Sequence, residues 1–311
     1  MKALVTGVGG FCGPHLVARL RREGNIEIAG VDQMAAEPSG LKLDAYFSCD
    51  VSDGGQVSSV VQKFMPDAIF HLAGLSGRSV PAPLVYRVNV MSAVHLLESV
   101  RSCAPNCRVL LAGSAAEYGP ADISAMPLVE TSPCKPIGAY GLSKYAATLI
   151  GMDYAREFGL KVVVARPTNI IGPGLPKSLV VGALIDRAQR ALAGADPVVE
   201  LGDYDSERDF VGVADVVDAY VGLVQAGFCG EIFNLSSGRA YPIRKVAEIL
   251  LANSPRPIKL KLNPDLIPAS PIRSLSASYE KAAKAIGFRP VTSLADALRA
   301  VWSSEMEVNV V

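Results

Sequence analysis

The first half of the chain alternates short apolar runs with longer segments of helical periodicity. Five apolar runs bounded by Gly, Pro or Asp are predicted strands, at residues 2–6, 26–32, 68–74, 108–114 and 161–167. Apolar residues at helical spacing predict helices near 11–23, 53–64, 83–103 and 137–158. Because the predicted strands are apolar throughout, both faces of their sheet must be covered. The pattern therefore predicts an α/β fold with a doubly wound parallel sheet of the Rossmann type.

The regular alternation stops after Pro167. A helical pattern near 178–194 follows, a strand and helix return over 208–227, and a proline-rich stretch spans 254–271. We predict a Rossmann domain and a smaller C-terminal lobe that binds substrate. The Rossmann domain is assigned residues 1–167 with 208–238 returning to it, and the lobe is assigned residues 168–207 and 239–311.

Charge and hydropathy indicate which kinds of molecule this protein can bind. The 311 residues carry 30 Lys plus Arg against 30 Asp plus Glu, without a basic stripe, which argues against nucleic acid or an anionic membrane as partner. No run approaches about 18 apolar residues, and the first residues do not have the composition of a signal peptide. We expect a cytoplasmic protein that acts on a small molecule.

Cysteine and histidine give no sign of a metal site. The six cysteines are scattered, and without an export signal they are expected to be reduced thiols. The three histidines, His15, His71 and His95, form no i,i+4 pair and have no nearby acidic cluster. We therefore expect structural histidines and no metal.

A glycine-rich turn follows the first predicted strand. The segment "TGVGGFCG" places Gly7, Gly10 and Gly13 between that strand and a helix. Glycine allows the backbone to approach a pyrophosphate, which then lies at the positive end of the helix. We predict a dinucleotide site here, contacted by Gly7, Gly10, Phe11 and Gly13.

Asp32 ends the second strand, where a carboxylate can accept hydrogen bonds from the adenosine ribose hydroxyls. The same carboxylate would repel a 2′-phosphate, and the next residue is Gln33. These residues favour NAD(H), with NADP(H) as the alternative. Asp50 and Val51 are candidate adenine contacts, and a turn or helix-capping role for Asp50 is equally consistent with the sequence.

A candidate catalytic trio follows along the chain. Tyr140 and Lys144 are four residues apart on one predicted helix, and therefore on one face of it. A nearby ammonium is expected to lower the tyrosine pKa and make the phenol a usable acid or base. Ser114 emerges from the fourth predicted strand. Ligands bind at the carboxyl ends of such strands, so Ser114, Tyr140 and Lys144 should meet in one crevice.

The order of these motifs resembles the extended short-chain dehydrogenase/reductase family, whose members act on nucleotide sugars. The likeness includes "HLAG" (71–74), "VNV" around Asn89, "ARPTNIIGPG" (165–174), "RDFVGVADVVDAY" (208–220) and "IFNLSSG" (232–238). It implies that Tyr140 is the acid/base, that Lys144 also holds the nicotinamide ribose and that Ser114 binds the reacting sugar oxygen. It further implies cofactor contacts at Leu72, Ala73, Gly74, Asn89, Tyr140, Lys144 and Pro167, and substrate contacts at Ser76, Ser114, Asn169, Arg208 and Arg273. A homodimer through the helices near 83–103 and 137–158 is implied as well.

Three reactions share this scaffold: 4,6-dehydration, 4-epimerisation and 4-keto reduction. A dehydratase needs an additional acid, which in that branch lies two positions after the catalytic hydroxyl, where this chain has Ala116. Glu117 is one place further on, off the family's position, and its interpretation as a solvated loop residue fits the sequence at least as well as a functional role. The sequence looks most like the reductases of GDP-4-keto-6-deoxy-D-mannose and is similar as well to the related GDP-mannose dehydratases. Reduction of a GDP-linked 4-keto-6-deoxyhexose is the leading hypothesis, an NAD-dependent 4-epimerase the second, and a non-catalytic dinucleotide-binding protein the third.

The nucleotide end of the substrate site departs from the family pattern. Relatives usually carry an Arg-Pro in the C-terminal lobe, where this chain has Ile267-Pro268-Ala269-Ser270, and Arg273 is the predicted replacement. Arg208 suits bidentate binding of phosphate oxygens. An ion pair of Arg208 with Asp205 or Asp209 is its structural alternative.

Overall fold

The computed structural model describes residues 1–77, 80–195, 197–202, 204–266 and 272–307. The strands are β1 Lys2–Thr6, β2 Glu27–Asp32, β3 Ala45–Ser48, β4 Ala68–His71, β5 Arg108–Ala112, β6 Lys161–Pro167, β7 Asn169–Ile171, β8 Val198–Leu201, β9 Glu207–Gly212, β10 Glu231–Leu235, β11 Ala240–Pro242, β12 Lys259–Leu262 and β13 Ser274–Leu275. The helices are α1 Cys12–Arg22, α2 Gly54–Phe64, α3 Ala82–Tyr86, α4 Ser92–Cys103, α5 Gly138–Phe158, α6 Val180–Leu192, α7 Val213–Ala226, α8 Ile243–Leu251, α9 Glu280–Ile286 and α10 Leu294–Glu307.

Seven parallel strands form the main sheet, in the order β10-β6-β5-β4-β1-β2-β3. The chain first moves outward from β1 to β3 and then crosses to β4, so the order reverses between β1 and β4. This reversal is the point where doubly wound sheets bind ligands. The predicted Rossmann-type fold is confirmed.

Apolar strands between two helical layers account for the buried core. On one face α1 and α7 pack on the sheet through residues such as Leu16 and Val217, and on the other α2, α4 and α5 pack through residues such as Val61 and Leu97. Burial on both faces explains why the strands read as continuous apolar runs. Among the described residues, no helix is both long and apolar enough to cross a membrane.

Two predicted strands end earlier than expected, and two strands of the main sheet, β3 and β10, are not among the five predicted ones. β4 stops at His71 and β5 at Ala112, so that residues 72–74 and 113–114 are loops at the crevice. β3 lies at the sheet edge and has no fully buried residue. Its sequence lacks the apolar run on which the other predictions rest, because an edge strand need not be buried on both faces.

The helix predicted near 83–103 is divided into α3 and α4. A π-helical turn, Arg87–Met91, joins them and contains the buried Asn89. Wide turns of this kind are frequent at functional sites because they redirect a single side chain.

A second, smaller set of sheets lies beyond β6. β9 pairs with β7, β11 and β13 in a four-stranded sheet, and β12 pairs with β8 in a two-stranded one. A separate apolar cluster, including Leu184, Phe210, Leu250 and Trp302, packs these strands against α6, α8 and α10.

The return of residues 208–238 to the main sheet begins later than predicted. β9 belongs to the four-stranded sheet, whereas α7 packs on the main sheet and β10 extends its edge beside β6. The apolar run in "RDFVG" is equally compatible with either sheet, because periodicity reports burial and not the partner of a strand. Residues 267–270, where the Arg-Pro pattern is replaced, lie outside the described residues.

Candidate functional site

The glycine turn after β1 has the geometry of a dinucleotide site. Gly7 has φ +66°, and a Cβ there would lie 2.7 Å from the Cα of Ala73. A Cβ on Gly13 would lie 2.1 Å from the carbonyl oxygen of Val8, so this glycine allows α1 to pack against the turn. Gly10 is exposed, and its nearest neighbour would be the Gly7 carbonyl oxygen at 3.1 Å. The turn therefore leaves an open glycine surface at the start of α1, which fits a pyrophosphate.

Phe11 directly follows Gly10 and packs against two apolar clusters. Its ring packs against both the main-sheet cluster and the cluster of the second set of sheets, with an edge-to-face contact to His15. His15 in turn contacts the Pro173 carbonyl oxygen at 2.9 Å. The start of α1 is thereby attached to the segment that follows β7.

Asp32 lies next to the glycine turn. One carboxylate oxygen accepts a hydrogen bond from the Gly9 amide (2.9 Å), and the other accepts from the Gln33 amide (2.8 Å). The charge thus faces the region where an adenosine ribose would lie. Asp50 accepts bonds from the Ser52 amide and hydroxyl, which is the turn-forming arrangement. Val51 follows it, partly buried, at the start of that turn.

The loop after β4 brings several predicted contacts to the same edge. Leu72 and Ala73 are partly buried, while Gly74 and Ser76 are exposed. Asn89 exchanges two hydrogen bonds with the backbone of Leu75, at 2.7 and 2.9 Å, and its amide also donates to the Ser143 hydroxyl at 2.8 Å. Asn89 therefore ties this loop to α5.

Tyr140 and Lys144 lie on α5, one turn apart, as predicted from their spacing. The Lys144 ammonium donates to the Ala112 carbonyl oxygen at 2.8 Å, and a Cβ built on Gly74 would be 3.2 Å from it. Burial lowers the pKa of Lys144 to about 8, against the opposing effect of Glu117. The structure therefore brings Lys144 to the carboxyl ends of β4 and β5.

The pKa of Tyr140 differs from the sequence-based expectation, which was wrong in direction. Burial raises it, and a hydrogen bond with the Ser114 side chain lowers it by less. The Lys144 ammonium is instead engaged by the Ala112 carbonyl. In this state Tyr140 is a neutral phenol at physiological pH, which is the form that donates a proton.

Ser114 caps a single turn of 3-10 helix, Ala115–Glu117. Its hydroxyl oxygen accepts from the Ala116 amide at 3.1 Å, and its own amide donates to a Glu117 carboxylate oxygen at 2.9 Å. Glu117 is fully buried, at 0% exposure, so the interpretation of this residue as a solvated loop residue was wrong. Its other oxygen accepts from Arg166 at 2.6 Å.

The predicted substrate contacts of the C-terminal lobe lie on or beside the four-stranded sheet. Asn169 on β7 donates to the Asp209 carbonyl oxygen (2.8 Å). Arg208 on β9 donates to the carbonyl oxygens of Glu207 (2.8 Å) and Ile272 (3.0 Å). Arg273 is exposed at the start of β13, next to Ile272. The two arginines are thus brought together where β9 and β13 pair.

Asp209, which sequence reasoning treated only as a possible partner of Arg208, has a different position. It is fully buried and accepts from the Ser237 amide and hydroxyl at 2.9 and 2.6 Å and from the Gly238 amide at 3.1 Å. Thr168, which directly follows Pro167 at the end of β6, donates to it at 3.3 Å. Asp209 therefore joins the loops after β6 and β10 to β9.

Within the described ranges no group of three or more His, Cys, Asp or Glu side chains is placed to hold a metal ion. All six cysteines are free thiols. His71 is buried between the hydroxyls of Thr6 (2.8 Å) and Ser92 (2.9 Å), and burial lowers its pKa to about 3. It supports the strand ends beneath the crevice.

Comparison with known proteins places this site in a family. The family model for the NAD dependent epimerase/dehydratase family matches residues 3–236. GDP-6-deoxy-D-mannose reductase of Pseudomonas aeruginosa is 28% identical over 308 residues, covering 97% of this chain and 96% of that one.

Solved structures of similar proteins superpose on this chain over nearly its whole length. A structure of RMD from Pseudomonas aeruginosa in complex with NADPH superposes with a TM-score of 0.84 at 26% identity and covers 99% of each chain. The UDP-glucose 4-epimerase of Thermotoga maritima with UDP-glucose gives a TM-score of 0.88 at 25% identity, covering 99% of this chain and 100% of that one. The chain belongs to the NAD dependent epimerase/dehydratase family.

Proposed function

We propose that this protein reduces the C4 ketone of a GDP-linked 4-keto-6-deoxyhexose with a nicotinamide cofactor. The observation that carries the proposal is the set of groups around Ser114. The Ser114 side chain acts on the Tyr140 phenol and lowers its pKa, whereas the two residues after Ser114 are alanines. The nearest carboxylate, Glu117, is enclosed by Arg166 and the Ser114 amide. Among the described residues, Tyr140 is therefore the proposed proton donor for the C4 oxygen, and the carboxylate next to Ser114 is already paired and not available for a dehydration.

The bound nicotinamide would supply the hydride that C4 receives. Tyr140 then donates its proton to the former carbonyl oxygen, so that a ketone becomes a secondary alcohol. The Ser114 hydroxyl donates a hydrogen bond to the same oxygen and stabilises the developing negative charge. Lys144 holds a positive charge one turn along α5. The raised pKa of Tyr140 supports this direction, because it keeps the phenol protonated until the substrate needs the proton.

The similarity to GDP-6-deoxy-D-mannose reductase over nearly the full chain supports a GDP-linked deoxyhexose as substrate. We propose that Ser76, Asn169, Arg208 and Arg273 contact this substrate and that residues 168–207 and 239–311 form most of its site. The arginines near the β9–β13 pairing can bind diphosphate oxygens through their planar guanidinium groups.

A nucleotide-sugar 4-epimerase is the second candidate, favoured by the structural similarity to the Thermotoga maritima epimerase. The same three side chains would then remove and return a proton at the C4 oxygen. Such an enzyme would interconvert C4 epimers without net consumption of the cofactor.

For the cofactor we propose a preference for NADH over NADPH. The Asp32 carboxylate, fixed by the Gly9 and Gln33 amides, would lie against a 2′-phosphate and repel it. The similar structure from Pseudomonas aeruginosa contains NADPH, so the affinity of this protein for NADH should be compared with its affinity for NADPH. Gly7, Gly10, Phe11, Gly13, Asn89 and Pro167 are the further proposed contacts of the cofactor, with Asp50, Val51 and residues 72–74.

We further propose a homodimer that forms through residues 83–103, which comprise most of α3, the π-helical turn and α4, and through α5. Large apolar side chains are exposed on α3, on the π-helical turn and on α5, namely Leu84, Met91, Leu142 and Leu149. A second copy of the chain that covers this surface would remove it from water.

The test is a spectroscopic assay of NADH with GDP-4-keto-6-deoxymannose and, separately, of the protein supplied with NAD⁺ and UDP- or GDP-hexoses. Loss of NADH absorbance with the keto sugar supports the reductase. Interconversion of hexoses without net formation of NADH supports the epimerase. If no nucleotide sugar reacts although NADH binds, and Tyr140→Phe changes nothing, the protein is a non-catalytic dinucleotide binder.

A further inference from the structure

A buried ion pair lies directly behind the candidate catalytic serine. The Glu117 carboxylate and the Arg166 guanidinium meet at 2.6 Å, and their side chains are 0% and 2% exposed. Removing two charges from water is costly, and buried pairs persist only when further hydrogen bonds satisfy them. Their position beside a reacting group therefore needs an explanation beyond packing.

The carboxylate also fixes the backbone of Ser114. Glu117 and Ser114 form a capping box, in which the Ser114 amide donates to Glu117 and the Ser114 oxygen accepts from the Ala116 amide. One lone pair of the Ser114 hydroxyl oxygen thus accepts the hydrogen bond from the Ala116 amide. The Ser114 hydroxyl can then donate its proton to Tyr140 or to a substrate oxygen. Close packing supports this arrangement, since a Cβ on Gly113 would be 2.6 Å from the same carboxylate.

Arg166 is itself held by the segment between β5 and α5. It extends from β6, contacts the Glu130 carbonyl oxygen at 3.5 Å and lies over the Tyr118 ring, 5.3 Å from its centroid. The Tyr118 hydroxyl donates to the Asn234 side chain on β10 at 2.8 Å. The position of Glu117 is therefore set by contacts to β6 and β10 of the main sheet as well as by its own loop.

The pair also acts at a distance on the two titratable catalytic groups. The charge of Glu117 raises the pKa values of Tyr140 and Lys144. Burial raises the pKa of Glu117 itself, and Arg166 and the Ser114 amide oppose that shift. Cys134 and, from α5, the hydroxyl of Thr148 also face Glu117, while Tyr118 and Cys134 face Arg166.

We propose that Glu117, held by Arg166, is a positioning residue of the catalytic site. It orients the Ser114 hydroxyl and maintains a negative charge behind Tyr140 and Lys144. This inference rests on the proposed function for its effect on turnover. Its electrostatic part needs no substrate and can be measured separately.

The decisive variant is Glu117→Gln, which keeps the size of the side chain and removes its charge. The titration of Lys144 is followed by NMR of ¹³C-labelled lysine, with Lys144→Arg to assign the signal. In wild type the pKa is about 8. In Glu117→Gln the midpoint should fall by about half a pH unit or more, because the anion is gone and Arg166 is left unpaired. We expect kcat with the keto sugar to fall about tenfold or more, with a smaller change in KM.

Two further variants make the result specific. Glu117→Asp keeps the charge but is too short to reach both Arg166 and the Ser114 amide, so the Lys144 titration should stay near wild type while kcat falls. Glu157→Gln, an exposed acid at the end of α5, is the control and should change neither. An unchanged Lys144 midpoint and an unchanged kcat in folded Glu117→Gln would overturn the proposal, as would wild-type kcat in Glu117→Asp.

The two proposals fail in distinguishable ways. If the Lys144 midpoint moves in Glu117→Gln but no keto sugar reacts with wild type, the proposed reaction is wrong and the electrostatic role stands. If wild type reduces the sugar and neither measurement changes in Glu117→Gln, the reaction stands and Glu117 is only structural.

Discussion

The hydroxyl of Ser114 has one proton to donate, and its surroundings decide where that proton points. The sequence alone predicted that Ser114, Tyr140 and Lys144 lie at one crevice. The ion pair behind Ser114 was missed, although two signals were present. Ser114 and Glu117 have the spacing of a capping box, and Arg166 interrupts an apolar strand, where a charge needs a buried partner. The raised pKa of Tyr140 was not predictable, because it depends on burial that spacing alone does not report.

A second buried titratable group gives a prediction about stability. Burial lowers the pKa of His71 from 6.5 to about 3. The unfolded chain then binds a proton that the folded chain does not, so the free energy of unfolding should fall as pH decreases from about 6.5 toward 3. The slope from this group is at most about 1.4 kcal/mol per pH unit. Chemical denaturation at several pH values measures it.

One variant isolates that contribution. His71→Gln should be less stable at neutral pH, where it loses the bonds to Thr6 and Ser92, but its stability should fall less steeply with acidification. Equal slopes for wild type and His71→Gln would show that His71 is not the group responsible.

At the scale of elements, the pattern of apolar runs predicted most of the main sheet and its helices. It missed β3, whose edge position leaves it without fully buried residues. It also treated α3 and α4 as one helix. The π-helical turn between them adds one residue to a single turn, which changes the apolar spacing too little for the pattern to reveal a break. Assignment of β9 to the main sheet failed because burial does not identify a strand's neighbour.

The glycine turn gives a prediction at the same scale. Gly13→Ala places a Cβ 2.1 Å from the Val8 carbonyl oxygen, so α1 must shift away from the turn. We expect a loss of about 1–3 kcal/mol in the free energy of unfolding, together with weaker NADH binding. Thermal denaturation and fluorescence titration with NADH measure the two effects.

Gly10→Ala is the matched variant in the same turn. Its Cβ would meet only the Gly7 carbonyl oxygen at 3.1 Å, so folding should be affected much less than in Gly13→Ala. It should still weaken NADH binding, because the methyl group occupies the surface proposed for the pyrophosphate. Equal binding by Gly10→Ala and wild type would argue against a cofactor at this turn.

At the scale of the whole molecule, the proposed dimer gives a direct test. Leu149 on α5 is 52% exposed in the single chain. Leu149→Lys should place charges in the proposed interface and shift the protein toward monomers, as measured by analytical ultracentrifugation at several concentrations. Val291→Lys, at a residue 81% exposed in the loop before α10, is the control. A wild-type protein that is already monomeric, or a Leu149→Lys protein that dimerises equally well, contradicts this interface.

The arrangement of the molecule places the glycine turn, the Ser114 loop and the start of α5 at one edge of the main sheet, with the four-stranded sheet beside them. From the sequence one could predict that such a crevice exists. The direction of the reaction was not predictable, because a reductase and an epimerase use the same three side chains on C4.

The most direct measurement of the central claim follows the hydride itself. The protein is incubated with GDP-4-keto-6-deoxymannose and NADH carrying deuterium at the transferable position, and the isolated sugar is examined by NMR and mass spectrometry. We predict one deuterium at C4 for each NADH consumed, and loss of this transfer by about a hundredfold or more in Tyr140→Phe, which should still bind NADH. A product without deuterium at C4, or equal transfer by Tyr140→Phe, would contradict the proposed reduction.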